Sequence, residues 1–307
     1  MSKRNFRELI ENKWSEKKFV CVGLDSDSAK IPRTMYEGQD YFHWYEPIIS
    51  FNKKIIDVTK DIACAYKINS AFYAAHGEQG FLVLDETIKH INTAVPDVPV
   101  IYDAKRADIG NTNVRYAQMA FEYLKADAIT VHPYLGEEAL IPFLERRDKG
   151  IFVLCRTSNL GAAEFQDLKI KPSLKEAKKF GLAWDSSDRN PEPCWVVTKI
   201  PLYQYIAYRV AKNWNKNNNC GLVVGATCPE ELHEVRKIVG DIPILIPGIG
   251  AQGGDIEKTV LAGKDSRGKG MIINASRSII FASSGPDFAE AARRETLKLH
   301  NLISQYR

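Results

Sequence analysis

Apolar and polar positions divide the chain into short, continuously apolar runs separated by longer stretches of helical period. Eight runs rich in Val, Ile and Tyr predict strands. They are Phe19 to Leu24, Ala63 to Ile68, Val98 to Tyr102, Ala128 to His132, Ile151 to Cys155, Gly221 to Val224, Ile244 to Ile246 and Met271 to Asn274. None alternates in the manner of a half-solvated strand, and continuous apolarity is what parallel strands buried on both faces require. Helical periodicity predicts helices near 44–60, 81–94, 113–125, 136–148, 201–217, 229–239, 254–262 and 285–304. Thr112 and the Pro229-Glu230-Glu231 run after Cys228 read as start signals, Thr112 as an N-cap shared with a possible substrate contact. Eight strand–helix units in strict alternation predict an α/β fold, a (β/α)₈ TIM barrel over residues 1–307 as one domain.

Two stretches exceed a minimal barrel. Residues 1–16 predict an extra helix placed to close the barrel bottom. Residues 156–200, polar and containing Pro172, Pro191 and Pro193, form a long connection after the fifth strand, the size of a lid, binding loop or local excursion. Composition narrows the setting further. No run is apolar for the ~18 residues a membrane span needs, and the N-terminus lacks the apolar core of a signal peptide, so a cytoplasmic protein is expected. The six cysteines (Cys21, Cys64, Cys155, Cys194, Cys220, Cys228) contain no Cys-x-x-Cys pair and read as reduced thiols holding no metal. The net charge of +4, from 42 basic and 38 acidic residues, is spread along the chain with no one-sided basic stripe, which excludes a nucleic-acid groove. Asn274 and Ser276 match a glycosylation sequon at a strand end, a chance match in a chain with no export signal.

Candidate chemistry gathers where this fold builds its sites, at the C-terminal ends of the strands. Asp25 follows strand one, Lys67 lies in strand two, and strand three runs into Asp103-Ala104-Lys105-Arg106-Ala107-Asp108. Asp103 and Lys105 are two apart, so an extended backbone points both the same way, and Lys67 and Asp25 converge on them from adjacent strands. Four alternating charges are expensive to bury unless they pair, so their place at three consecutive strand ends points to an electrostatic active site, against the alternative of a structural ion pair. Arg106, offset by one residue, is expected to point away as a surface charge.

Strand seven leads into Pro247-Gly248-Ile249-Gly250-Ala251-Gln252-Gly253-Gly254, and strand eight into Ser276-Arg277. The glycines formally match a dinucleotide fingerprint, but that motif belongs in an early βαβ unit with an acidic residue about 20 positions on. Here the loops after strands seven and eight are the recurring phosphate site of barrels. Backbone N–H groups around Gly250, a helix N-terminus and Arg277 would close on a phosphate, with Gln252 reaching over it or bracing its own loop. Pro247 offers an apolar surface or simply shapes the turn. His132 is read either as approaching the substrate or as a structural loop residue, while His43, His76, His90, His233 and His300 show no ligand spacing for a metal.

Taken together, Gly23-Leu24-Asp25, Tyr66-Lys67-Ile68-Asn69, the Asp103 to Thr112 block, the glycine-rich loop with Gln252, and Ser276-Arg277 closely resemble the orotidine 5'-phosphate decarboxylase family, in its larger bacterial branch. The resemblance implies a carboxy-lyase that makes UMP in pyrimidine biosynthesis without cofactor or metal, as a homodimer with shared active sites. It places Asp103 against the substrate carboxylate and makes Lys105 the proton donor to C6. Lys67 and Asp25 then complete the charge network and hold ribose hydroxyls, while Asp108 and Thr112 reach the partner's site. Gln252 and Arg277, beside Ser276 and Gly250, hold the phosphate, and Ser158 contacts the pyrimidine edge. Two alternatives stay open: a magnesium-dependent sugar-phosphate decarboxylase or aldolase-type barrel, and a non-catalytic nucleotide-binding barrel. Lys67 argues against the first, because an ammonium is a poor magnesium ligand.

Overall fold

A computed structural model describes residues 4–37, 45–186, 195–250 and 253–307. Gln252, Cys194, His43, Pro191 and Pro193 lie outside the described residues, as do positions 1–3 of the expected first helix and position 44 of the second. The chain opens with α1 (Phe6–Ser15), capped by the Asn5 side chain accepting from the Glu8 N–H. It continues through β1 (Val20–Gly23), α2 (Glu46–Thr59), β2 (Ala63–Asn69), α3 (Ser70–Ala74), α4 (Gly77–Ala94), β3 (Val100–Arg106), α5 (Gly110–Ala117), β4 (Ala128–Val131), α6 (Gly136–Leu144) and β5 (Gly150–Arg156). An excursion follows, with α7 (Ala163–Gln166), β6 (Lys169–Ile170), α8 (Leu174–Phe180), β7 (Ala183–Asp185), β8 (Trp195–Val197) and β9 (Ile200–Pro201). The remainder is α9 (Leu202–Arg209), β10 (Cys220–Val224), α10 (Pro229–Val239), β11 (Ile244–Pro247), α11 (Ile256–Gly263), β12 (Met271–Ala275), α12 (Arg277–Ile280) and α13 (Phe288–Tyr306).

Eight parallel strands close into a barrel in the order β1-β12-β11-β10-β5-β4-β3-β2, the α/β barrel expected from the apolar runs. The strands are buried throughout their central positions because helices cover the outside and side chains fill the inside. The helices α5 and α9 each stop short of their expected ends and pass into a wider π-turn, at Gln118–Tyr123 and Val210–Trp214. The helix expected over 285–304 is α13, and the short α12 before it, directly after β12, was not expected.

The extra N-terminal helix does close the bottom of the barrel. The Phe6 ring packs edge-on against Phe152 near the start of β5, with centroids 5.4 Å apart. Trp14 donates its indole N–H to the Met271 carbonyl at the start of β12, at 2.7 Å. The excursion after β5 is folded: β6 pairs antiparallel with β9, and β7 with β8. A capping box of Ser173 and Glu176 starts α8 and a left-handed Gly181 ends it. Glu176 then accepts from Tyr205 at 2.7 Å and from Arg209 at 2.8 Å, which fastens the excursion to α9. Among the described residues, no helix is long and apolar enough to cross a membrane.

Candidate active site

A cavity of about 440 Å³ opens at the C-terminal ends of the strands. Its floor is the predicted charge array. Lys67 Nζ, on β2, donates to Asp103 Oδ2 at 3.0 Å and approaches Asp25 Oδ1 at 3.4 Å. Lys105 Nζ donates to the other oxygen of Asp103, Oδ1, at 2.7 Å. The charges therefore alternate Asp25, Lys67, Asp103, Lys105. The middle of the row is the most buried: the Lys67 side chain is 5% exposed and Asp103 9%, whereas Lys105, at one end, is 47% exposed and faces the cavity. Burial would lower the Lys67 ammonium, but Asp103 and Asp25 outweigh it and hold it above the usual lysine range. Burial would likewise raise the Asp103 carboxyl. Lys67 and Lys105, with hydrogen bonds from Lys105 and Thr130, outweigh that and hold it well below the usual carboxylate range. Both groups are charged at neutral pH.

Asp103 and Lys105 do not meet by simple strand alternation. Tyr102 pairs with Ile129, but the next pairing joins Arg106 to Val131, so β3 carries two residues more than the facing stretch of β4. Lys105 sits in this bulge with φ +47, a left-handed conformation unusual for a residue with a Cβ. Arg106 does lie off the cavity, but it is more than a surface charge: it is partly buried, with its guanidinium 4.7 Å from the centre of the Tyr116 ring.

The glycine-rich loop after β11 supplies the opposite wall. Gly248, Gly250 and Gly253 all take positive φ (+105, +81, +79), and the Gly254 N–H closes the loop onto the Gly248 carbonyl at 3.1 Å. Gly248, Ile249, Ser276 and Arg277 line the cavity, with Arg277 opening α12 and Ser276 just before it. Gly250 falls outside that lining, its Cα turned toward Ser278. Pro247 lines the cavity; His132 is not among the lining residues. Ser158 lines it on the β5 side, where Gly225 leaves room: a Cβ there would lie 2.6 Å from that of Ser158.

Asp108 and Thr112 stand apart from this cavity. Asp108 Oδ1 accepts from the Ile109 N–H, and the Asn113 amide braces the Asp108 backbone. Thr112 is not the N-cap of its helix: α5 begins at Gly110 with Ile109 as cap, because the turn after β3 is already closed by Asn113 reaching back. Asn274, the sequon asparagine, is buried and donates to the Cys21 carbonyl, so it faces the cavity floor and not solvent.

Several lining residues were given no role in the site by the sequence reading. Asn69, Thr130, Thr157, Asn159, Gln166 and Asn274 are uncharged and polar. Gln166 comes from the excursion: its Oε1 accepts the Thr157 N–H at 2.9 Å and its Nε2 donates to the Thr157 hydroxyl at 3.0 Å. Arg156, at the end of β5, pairs with Asp167 and holds the same loop from below. The arrangement as a whole offers a half-exposed ammonium on a buried ionic base, a polar loop facing it, and an anion-binding wall with an arginine. It suits a phosphorylated substrate on which negative charge develops near Lys105.

Comparison with known proteins agrees with this geometry. Residues 18–294 match the model of the Orotidine 5'-phosphate decarboxylase / HUMPS family. The chain is 43% identical over 304 residues to orotidine 5'-phosphate decarboxylase of Cellvibrio japonicus (strain Ueda107), covering 98% of each chain. It is 42% identical over 302 residues to that of Janthinobacterium sp. (strain Marseille), again covering 98% of each. Among solved structures, OMP decarboxylase of Leishmania donovani superposes with TM-score 0.74 at 31% identity, covering 98% of this chain and 99% of that one. UMP synthase of the same organism superposes with TM-score 0.76 at 33% identity, covering 98% of this chain; of that longer protein the chain spans 57%.

Proposed function

The chain belongs to the orotidine 5'-phosphate decarboxylase / HUMPS family, and from that premise we propose how its residues convert orotidine 5'-phosphate to UMP. The observation that carries the reading is the Asp25–Lys67–Asp103–Lys105 row with its one half-exposed end. Decarboxylation breaks the bond between C6 and the carboxylate, leaves the electron pair on C6 and releases carbon dioxide. No adjacent carbonyl is placed to delocalise that pair easily. An ammonium fixed before the reaction stabilises the developing charge and then donates its proton to C6. Lys105 has that place. Asp103 orients its ammonium and faces the substrate carboxylate, and Lys67 keeps Asp103 ionised from behind.

Arg277, Ser276 and the backbone around Gly250, with Gln252, hold the phosphate; Asp25 and Lys67 hold ribose hydroxyls, and Ser158 meets the pyrimidine edge. Phosphate binding remote from C6 supplies energy for organising the site. The chemistry uses no cofactor. Lys67 also weighs against a magnesium-dependent sugar-phosphate barrel, because its ammonium already stands between the carboxylates of Asp25 and Asp103, where a divalent ion would need bare oxygens.

We read residues 1–307 as one decarboxylase domain acting as a homodimer. Exposed apolar side chains on neighbouring helices support the dimer: Ile109 and Val114 at α5, and Tyr134, Leu135 and Ile141 at α6. Asp108 and Thr112 lie on this flank, outside the lining of their own cavity, and reach the partner's site. The described cysteines are free thiols, as suits a cytoplasmic enzyme. Ultraviolet-monitored conversion of orotidine 5'-phosphate by purified protein in excess EDTA tests the reading. Conversion at full rate is expected; activity lost to EDTA and restored by magnesium would overturn the metal-free mechanism.

A further inference from the structure

We infer that Thr130 is a positioning residue for the reaction: its hydroxyl pins the bulge of β3 and thereby aims Lys105. The inference rests on the decarboxylase reading above. Thr130 lies in the middle of β4, 1% exposed, with its side chain on the cavity floor. A buried hydroxyl has to find partners, and this one serves both catalytic side chains of β3. It donates to Asp103 Oδ1 at 2.8 Å, the same oxygen that Lys105 Nζ reaches, and it accepts the backbone N–H of Lys105 at 2.9 Å.

The backbone contact explains how the bulge persists. Between Tyr102 and Arg106, β3 has surplus residues with no ladder partner on β4. The Lys105 N–H would otherwise be left unpaired beside a buried carboxylate, at a residue already held at φ +47. The Thr130 side chain takes the place of the missing strand carbonyl. One hydroxyl thus closes a ring through the Lys105 backbone, the Lys105 ammonium and the Asp103 carboxylate. Without it, Asp103 Oδ1 keeps a single donor and the Lys105 backbone is free to leave the left-handed conformation. The ammonium would then point elsewhere.

Thr130→Val keeps the branched shape and removes only the hydroxyl, so it separates aiming from packing. Turnover and KM for orotidine 5'-phosphate should be measured with Thr130→Val and Thr130→Ser beside the wild-type enzyme. The inference expects kcat of Thr130→Val to fall by roughly 30- to 100-fold with KM changed less than about threefold, as for a misaimed catalytic group. Thr130→Ser, which retains the hydroxyl, should recover most of that loss. A Thr130→Val enzyme with kcat near wild type, or a serine variant as impaired as the valine one, would overturn the inference while leaving the decarboxylase reading intact. Should the valine variant not fold, Thr130→Ala beside Thr130→Ser decides it: equal losses overturn the inference, and a serine variant far more active than the alanine one supports it. A wild-type enzyme without turnover would instead overturn the decarboxylase reading, and the inference with it.

Discussion

Lys67 stands between two carboxylates and is the ammonium that Asp25 and Asp103 share. Asp103 in turn is the only anion between Lys67 and Lys105 in the described row. Asp103→Asn should therefore leave two ammonium groups without a shared counter-ion and destabilise the fold by roughly 3 kcal/mol at neutral pH. The native Asp103 pKa is depressed, so its contribution is present above the unfolded value of about 3.9 and is lost as pH falls toward the native value. Urea unfolding at pH 7 and near pH 2.5 should show the gap between wild type and Asp103→Asn narrowing in acid; a constant gap would contradict the network. Arg277→Ala should raise KM for orotidine 5'-phosphate by about 10- to 100-fold and barely alter binding of the unphosphorylated nucleoside. Equal losses for both ligands would remove Arg277 from the phosphate. The charged residues were legible because an ionisable group at the end of an apolar run has few structural excuses. Thr130 was not: in Ala128-Ile129-Thr130-Val131 it reads as one more β-branched strand residue, and nothing local reveals a hydroxyl facing a bulge in the neighbouring strand.

At the scale of elements, the eight barrel strands were legible because burial on both faces leaves continuous apolar runs, and all eight stand within a few residues of their expected places. Irregularities inside elements were not. The β3 bulge depends on its pairing with β4, and the π-turns that end α5 and α9 depend on how those helices settle on the barrel. The excursion after β5 contains strands of two and three residues, too short to carry a period, so it read only as a long connection the size of a lid, binding loop or local excursion. Its fold has a consequence for the site. Gln166 at the end of α7 holds the Thr157 backbone and hydroxyl, and with them the loop carrying Ser158 and Asn159. Gln166→Leu should raise KM about tenfold through loss of two hydrogen bonds that order a binding loop, with kcat reduced less. Steady-state kinetics with unchanged KM would make the excursion a mere appendage to the barrel.

The whole molecule places its chemistry at one end of the barrel and its closure at the other, where Phe6 and Trp14 seal the bottom. In the dimer we propose, the flank bearing Asp108, Thr112 and the exposed apolar residues of α5 and α6 meets the second copy. Lys105→Ala and Asp108→Ala subunits, each inactive alone, should regain about a quarter of wild-type activity after mixing and exchange, because half the dimers then hold one intact site of two. No recovery despite demonstrated subunit exchange would confine the site to one chain. The role we propose for Lys105, aimed from the ionic floor, is that of proton donor to C6. It is tested most directly by comparing Lys105→Ala with wild type for turnover of orotidine 5'-phosphate and, in parallel, for UMP affinity by calorimetry. Turnover should fall by at least roughly 10⁴-fold, with UMP bound within about tenfold of wild type. Near-normal turnover in Lys105→Ala would contradict it.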